Sequence, residues 1–261
     1  MTAIPTRTAL VGGGGAGIGN ATAAHLLRTG HRVVITGRDA TTLDTAAHGL
    51  RRRTGGEVHA LVNDVADASA AEKAVAEVEA RYGALDILVL NAGGPPPGRI
   101  LDVGDEQWRT AYELLLLGPL RLARLALPRM AERGFGRAVL ITSGAVRQPQ
   151  PDLAASVVLR SAVTAAAKLL SREFADRGVT VNCVAPGATA TERRTEILRA
   201  RAERAARTFE ALDAEDTASI PAGRAARPEE IAATVAFLAS DGAAYINGTV
   251  LTVDGGRTET I

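Results

Sequence analysis

The stretch that most constrains the fold is Gly12 to Gly19, which reads GGGGAGIG and directly follows the apolar run Thr8 to Val11. Glycine adopts positive φ without strain and has no Cβ, so a ligand can approach this backbone closely. The pattern predicts a strand that turns into a helix whose first amides are free to bind an anion such as a phosphate. Glycine clusters also form ordinary flexible turns, so on this stretch alone both interpretations stay open.

Short apolar runs alternate along the chain with longer Ala- and Leu-rich segments of helical period. This alternation is typical of a parallel sheet with helices on both faces, and it predicts an α/β fold with a doubly wound, Rossmann-type sheet of seven parallel strands. The predicted strands are Thr8 to Val11, Arg32 to Thr36, Glu57 to Val62, Asp86 to Leu90, Ala138 to Thr142, Thr180 to Ala185 and Thr249 to Val253. The predicted helices are Gly17 to Thr29, Thr41 to Arg53, Ala68 to Tyr82, Asp105 to Glu132, Ala154 to Arg177 and Pro228 to Ser240.

Length and composition limit the class of protein. The 261 residues contain no linker-like stretch, so we predict a single domain over residues 1–261. A net charge of +1 gives no field that would attract nucleic acid, and Cys183, the single cysteine, excludes both an internal disulfide and a cysteine-rich zinc site. We predict no metal site. With no signal pattern and no apolar run near membrane-spanning length, we expect a cytoplasmic protein without a membrane partner.

Several separated motifs resemble those of the classical short-chain dehydrogenase/reductase family over nearly the whole chain. They are the glycine loop, Asp64-Val65 after the third strand, Asn91-Ala92-Gly93 after the fourth, Val181 to Gly187, and Val253 to Gly256. The resemblance implies a bound dinucleotide cofactor. It implies that this cofactor contacts Gly13, Gly15, Gly17, Ile18, Gly19, Arg38, Asp64, Val65, Asn91, Ala92, Gly93, Arg160, Pro186, Gly187 and Thr191.

The residues after the second strand bear on the choice of cofactor. An acidic residue there would accept a hydrogen bond from the adenosine ribose and repel a 2′-phosphate, but this chain has Gly37 followed by Arg38. A guanidinium binds phosphate in bidentate fashion and stacks on adenine, which favours NADP(H) over NAD(H). The alternative is an ordinary surface arginine whose charge is neutralised by Asp39.

The residues that would carry catalysis depart from the family pattern. The family uses a serine, a tyrosine, a lysine four residues after the tyrosine, and a helical asparagine. At the corresponding positions of this chain stand Ser143, Ser156, Arg160 and Leu115. A serine hydroxyl is shorter and far less acidic than a phenol, and arginine does not release its proton at neutral pH. We therefore predict a non-standard site of Ser143, Ser156 and Arg160.

Three functions remain open on these residues. The first is an NADP(H)-dependent oxidoreductase that transfers hydride to or from a small carbonyl, imine or quinone-like substrate, with a proton from water, the substrate or a group such as Tyr112. The second is a non-redox enzyme of the same fold, such as a cyclase, dehydratase or isomerase. The third is a catalytically silent NADP(H)-binding subunit or sensor.

The segment from Ala188 to Arg227 lies between the sixth strand and the last helix and is rich in arginine. Ligands of open α/β sheets bind beyond the carboxyl ends of the strands, so this segment is a candidate lid over the substrate. Its arginines fit a solvated helix of alternating charge, or a receptor for an anionic substrate or a carrier-borne acyl chain.

The long apolar helices Asp105 to Glu132 and Ala154 to Arg177 resemble the pair through which family members associate. The resemblance implies a homodimer or homotetramer.

Overall fold

The computed structural model describes residues 6–260, so the two ends of the predicted domain, residues 1–5 and 261, lie outside the described residues. One sheet of seven parallel strands has the order β3-β2-β1-β4-β5-β6-β7, which confirms the predicted fold class. The strands are β1 Thr8–Gly12, β2 Arg32–Gly37, β3 Val58–Val62, β4 Ile87–Leu90, β5 Gly136–Ile141, β6 Val179–Pro186 and β7 Val250–Val253.

Nine α-helices occur within the described residues. They are α1 Gly17–Arg28, α2 Ala40–Thr54, α3 Ala70–Tyr82, α4 Asp105–Tyr112, α5 Gly118–Glu132, α6 Ala154–Glu173, α7 Glu192–Ala205, α8 Phe209–Ala218 and α9 Pro228–Ala239. Side chains alternate across a strand, so Val11 and Ile35 pack with α1, α2 and α9, whereas Leu10 and Val34 pack with α3, α5 and α6. Both faces of the sheet are therefore buried under helices, as a parallel sheet requires.

The predicted single helix from Asp105 to Glu132 is interrupted by a π turn over Glu113–Leu117, between α4 and α5. Pro119 has no backbone N–H and cannot bond the carbonyl four residues earlier, which favours the wider turn. The N–H of Gly118 instead donates to the carbonyl of Glu113, five residues back. A Cβ on Gly118 would lie 2.2 Å from the carbonyl oxygen of Val65, so this glycine allows the helix to approach the loop after β3.

Helix α6 corrects one expectation. Its 20 residues are long and apolar enough, by length and composition alone, to span a membrane, so the prediction that no apolar run has this length was wrong. One face of α6, which includes Leu159, Val163 and Ala167, is buried within the domain. Val163 and Ala167 pack against β6 side chains such as Val181. This identifies α6 as a core helix.

The segment between β6 and α9 folds into α7 and α8, and the two ends of this segment are held together. Thr189 and Ala226 form an isolated parallel bridge. The N–H of Ala190 donates to the carbonyl of Ala226 at 2.8 Å, and the N–H of Ala226 donates to the carbonyl of Ala188 at 2.9 Å. The chain that forms α7 and α8 therefore leaves and returns to the body of the domain at one narrow neck.

Candidate active site

The glycine loop has the backbone geometry predicted from its sequence. Gly13 and Gly17 have φ of +60° and +52°, a region that other residues seldom adopt. A Cβ on Gly19 would lie 2.2 Å from the carbonyl oxygen of Gly13, so α1 can begin this close to the loop only with glycine there. The side-chain amide of Asn91 donates to the carbonyl of Gly12 at 3.0 Å and ties the loop to the end of β4.

A cleft of about 570 Å³ opens at the carboxyl ends of β1, β2 and β4. Many of the residues predicted to bind a cofactor line this one cleft, namely Gly13, Gly15, Arg38, Asp64, Val65, Asn91, Ala92 and Gly93. The remaining predicted residues lie outside its wall, namely Gly17, Ile18, Gly19, Ser143, Ser156, Arg160, Pro186, Gly187 and Thr191. Gly187 is packed against Asp254, whose Cβ would lie 2.6 Å from a Cβ on the glycine.

Arg38 is exposed at the cleft wall, and no ion pair involving it occurs between residues 6 and 260. Asp39, the proposed neutralising neighbour, is engaged elsewhere. Its carboxylate caps α2 by accepting the backbone N–H of Thr42 at 2.7 Å, and this hydrogen bonding lowers the pKa of Asp39. The charge of Arg38 is therefore available to a ligand in the cleft.

Arg160 links the catalytic candidates to the sheet. Its Nη1 donates to the carbonyl of Ile141 at 2.7 Å, and its Nη2 donates to the carbonyl of Ala92 at 3.2 Å, so the guanidinium joins the ends of β5 and β4. Its Nε donates to the hydroxyl of Ser156, one turn earlier on α6, at 3.2 Å. Three of the five N–H groups are thus used within the protein, and two remain for a ligand.

The two serines share one property. The hydroxyl oxygen of Ser143, just after β5, accepts the backbone N–H of Ala145 at 3.2 Å, and that of Ser156 accepts Arg160 Nε. Since a donor already occupies a lone pair of each oxygen, each hydroxyl proton is free to point toward another acceptor.

Burial, and then the charge of Arg193, lower the pKa of Arg160 to about 10, so Arg160 stays protonated at neutral pH.

Leu115 and Tyr112 lie apart from these groups. Leu115 is buried in a small apolar cluster with Ala111, Ala155 and Leu159, which gives it a packing role. Tyr112 is 42% exposed and does not line the cleft, so its position gives no support for its use as a proton donor. No group of three or more potential metal ligands occurs within residues 6–260.

Comparison with known proteins decides the family. The family described as Enoyl-(Acyl carrier protein) reductase matches residues 13–258. A 3-oxoacyl-(acyl-carrier-protein) reductase of Synechocystis is 34% identical over 258 residues, which cover 98% of each chain. The chain belongs to the short-chain dehydrogenase/reductase family. This membership confirms the predicted family and the oxidoreductase class.

Two further proteins are similar to this chain over nearly their whole length. The short-chain reductase protein NovJ of Streptomyces niveus is 36% identical over 95% of this chain and 93% of its own. A crystal structure of an actinorhodin polyketide ketoreductase variant with NADPH superposes with a TM-score of 0.94 at 34% identity and covers 98% of both chains.

Arg193 is not distinguished by its sequence from the other arginines between β6 and α9. The structure turns its guanidinium toward the loop after β4, where it donates to the carbonyl of Pro95. The cleft is also lined by Gln107, Thr110 and Leu114 of the helical stretch after that loop, which the sequence analysis did not select. An i, i+3, i+7 spacing on α4 and its π turn is the signal that marks this face.

Proposed function

We propose that this protein is an NADP(H)-dependent reductase of a small carbonyl, imine or quinone-like substrate. The single observation that carries the proposal is that Ser143 and Ser156 each accept a hydrogen bond, Ser143 from the backbone N–H of Ala145 and Ser156 from Arg160 Nε, which leaves both hydroxyl protons free to donate. The named relatives include a 3-oxoacyl-(acyl-carrier-protein) reductase and a polyketide ketoreductase studied with NADPH, which supports a carbonyl substrate and this cofactor.

The residues of the cleft fit the cofactor. Gly13 and Gly15 line the cleft and have no side chains, so the backbone of the loop is open to a ligand there. Arg38 is unpaired at the same wall within the described residues, which suits a 2′-phosphate and favours NADP(H) over NAD(H). When bound, the cofactor supplies hydride. Thr191 and the two free N–H groups of Arg160 would hold the end of the cofactor next to the substrate.

Ser143 and Ser156 would then donate hydrogen bonds to the substrate oxygen and stabilise the charge that develops on it. Arg160 would orient Ser156 and add a positive charge behind it. Neither serine is an adequate acid, so the proton that completes the reduction would come from water or from the substrate itself. This chemistry suits a carbonyl, imine or quinone-like group that accepts hydride readily.

The first test is a titration of the purified protein with NADPH and NADH, followed by oxidation of NADPH in the presence of ketones, quinones and imines. We expect NADPH to bind more tightly than NADH and to be oxidised. Ser156→Ala should lower the turnover number by about 10²- to 10³-fold, the effect of removing one oxyanion donor. Ser161→Ala is the matched control on α6, because this exposed hydroxyl only bonds the carbonyl of Val157.

Different failures point to different functions. Absence of NADPH binding would refute the proposal. Binding without turnover would favour a silent NADP(H)-binding subunit or sensor, a role that suits the buried Leu115 and the use of Arg160 in joining two strand ends. Product formation without NADPH oxidation would favour a cyclase, dehydratase or isomerase.

The double variant Ser156→Tyr with Arg160→Lys tests whether the scaffold supports the family's usual proton donor. A gain of carbonyl reduction is the expected result.

We also propose a homodimer or homotetramer that associates through α6. Val158 and Leu169 on this helix are 46% and 65% exposed, and a second copy of the chain packed on this face would cover both. Light scattering coupled to size exclusion measures the mass directly, and a monodisperse monomer would refute the assignment.

A further inference from the structure

Most arginines of the candidate lid form ion pairs within the protein, either inside the lid or with the rest of the domain. They pair with carboxylates of other elements, with Arg194 bound to Asp213 and Asp216, Arg201 and Arg204 bound to Asp152, and Arg207 bound to Glu215. These contacts account for the alternating charges of the segment without any ligand.

Arg193 differs from this group. Its guanidinium lies against the backbone of Gly94, where an added Cβ would be 2.9 Å from Nη2, and it donates to the carbonyl of Pro95. Within the part of the chain that the structure describes, its one carboxylate neighbour is Glu196, at 3.4 Å from Nη1. Glu196 is 57% exposed, so this ion pair is weak and water screens it.

Arg160 has no carboxylate contact among the described residues, since its partners are two carbonyls and a hydroxyl. Arg193 is close enough to lower the pKa of Arg160, after the larger effect of burial. Two guanidinium groups therefore lie near each other, and Glu196 is their one carboxylate neighbour within the described residues. One positive charge remains in excess, and a bound monoanion would neutralise it.

The excess charge lies away from the glycine loop. The start of α7 lies over that loop, because a Cβ on Gly17 would be 3.2 Å from the methyl group of Thr191. Arg193 instead reaches Gly94 and Pro95, which line the cleft beyond β4. Apolar side chains such as Leu114 line the same part of the cleft and suit a carbon skeleton.

We propose that Arg193 binds a carboxylate of the substrate, with the charge of Arg160 behind it, so that the substrate is an oxo acid. A guanidinium matches the two oxygens of a carboxylate, and the fork of Arg193 can turn to it from the Pro95 carbonyl. The assignment of the carbonyl group rests on the proposed reductase function. The recognition of the carboxylate does not, because binding can be measured without hydride transfer.

The test is calorimetry with the protein saturated with NADP⁺. The probes are 4-methyl-2-oxopentanoate, 4-oxopentanoate and the methyl ester of each. We expect at least one acid to bind about 10- to 100-fold more tightly than its ester, the effect of a hydrogen bond to a charged group. Arg193→Gln should remove this preference, and Arg193→Lys should retain part of it. Arg199→Gln is the matched control, because Arg199 is exposed on the same helix.

Equal affinities within both pairs, or no binding of either acid, would overturn the proposal. It would also be overturned if Arg193→Gln weakened NADPH binding while leaving the acid-to-ester ratio unchanged, since the charge would then serve the cofactor. Preference for an acid without NADPH oxidation would support the carboxylate site and refute the reductase. Equal reduction of acids and esters would support the reductase and refute the carboxylate site.

Discussion

Asp216 joins three parts of the chain through one buried carboxylate. It lies on α8, its side chain is 8% exposed, and its oxygens are 2.7 Å from Arg194 on α7 and 2.8 Å from Arg257 near the C-terminal end. Arg201, also on α7, is within 3.9 Å. Asp216→Asn keeps the size of this side chain and removes its charge, so it should destabilise the fold.

The magnitude follows from burial. Breaking a fully buried ion pair costs about 3 to 5 kcal/mol. We expect about 2 to 4 kcal/mol here, because the partners Arg194 and Arg257 are 16% and 24% exposed and Arg194 retains Asp213. At about 2 to 4 °C per kcal/mol, the Tm should fall by about 4 to 16 °C.

Thermal unfolding at one fixed protein concentration measures this difference, since association would otherwise shift the Tm. Asp213→Asn is the control. That carboxylate contacts the same arginine but is 41% exposed, so its loss should cost about 0 to 1 kcal/mol. Equal Tm changes for the two variants, or no change for Asp216→Asn, would refute the argument from burial.

Three further predictions concern the cleft and α9. Arg38→Ala should weaken NADPH binding about 10- to 100-fold and NADH binding much less, since NADH lacks the 2′-phosphate, and equal losses would contradict the assignment. Gly19→Ala should abolish NADPH binding in a fluorescence titration, because the added Cβ would lie 2.2 Å from a backbone oxygen. Gly15→Ala is the control and should still fold, because its added Cβ would lie 3.0 Å from the methyl group of a side chain. Hydrogen bonding to Arg224 lowers the pKa of Glu230 to about 2. The wild-type protein should therefore be more stable than Glu230→Gln above about pH 4.5, and this difference should disappear as the pH falls through 2. A difference in urea midpoints that stays constant over this pH range would contradict the prediction.

The fold was predictable because strong local signals agreed with one another. Each strand was found within about two residues of its observed ends, since a parallel sheet buried on both faces needs continuous apolar runs. The π turn was missed because Glu113 to Leu117 has an unbroken apolar helical pattern, and only the missing N–H of Pro119 indicates the wider turn.

The sequence predicted several residues of the site, but not the partners that their side chains contact. Sequence position brought Ser156 and Arg160 to one face of a helix, and the structure adds that Arg160 reaches two strand ends. Arg193 and Arg194 are adjacent in the sequence, yet Arg193 contacts the loop after β4 and Arg194 contacts α8. The partners of such side chains lie far along the chain, so periodicity alone does not reveal them.

The neck at Thr189 and Ala226 has a consequence for how this architecture diversifies. Because the segment of α7 and α8 leaves and returns at paired backbone positions, insertions in the turn between these two helices should leave the sheet and the glycine loop unchanged. Thr191 at the start of α7 and Asp216 on α8 contact other parts of the chain, so changes at these two positions should not be tolerated. The turn between α7 and α8 is therefore the place where this architecture can lengthen without altering the glycine loop.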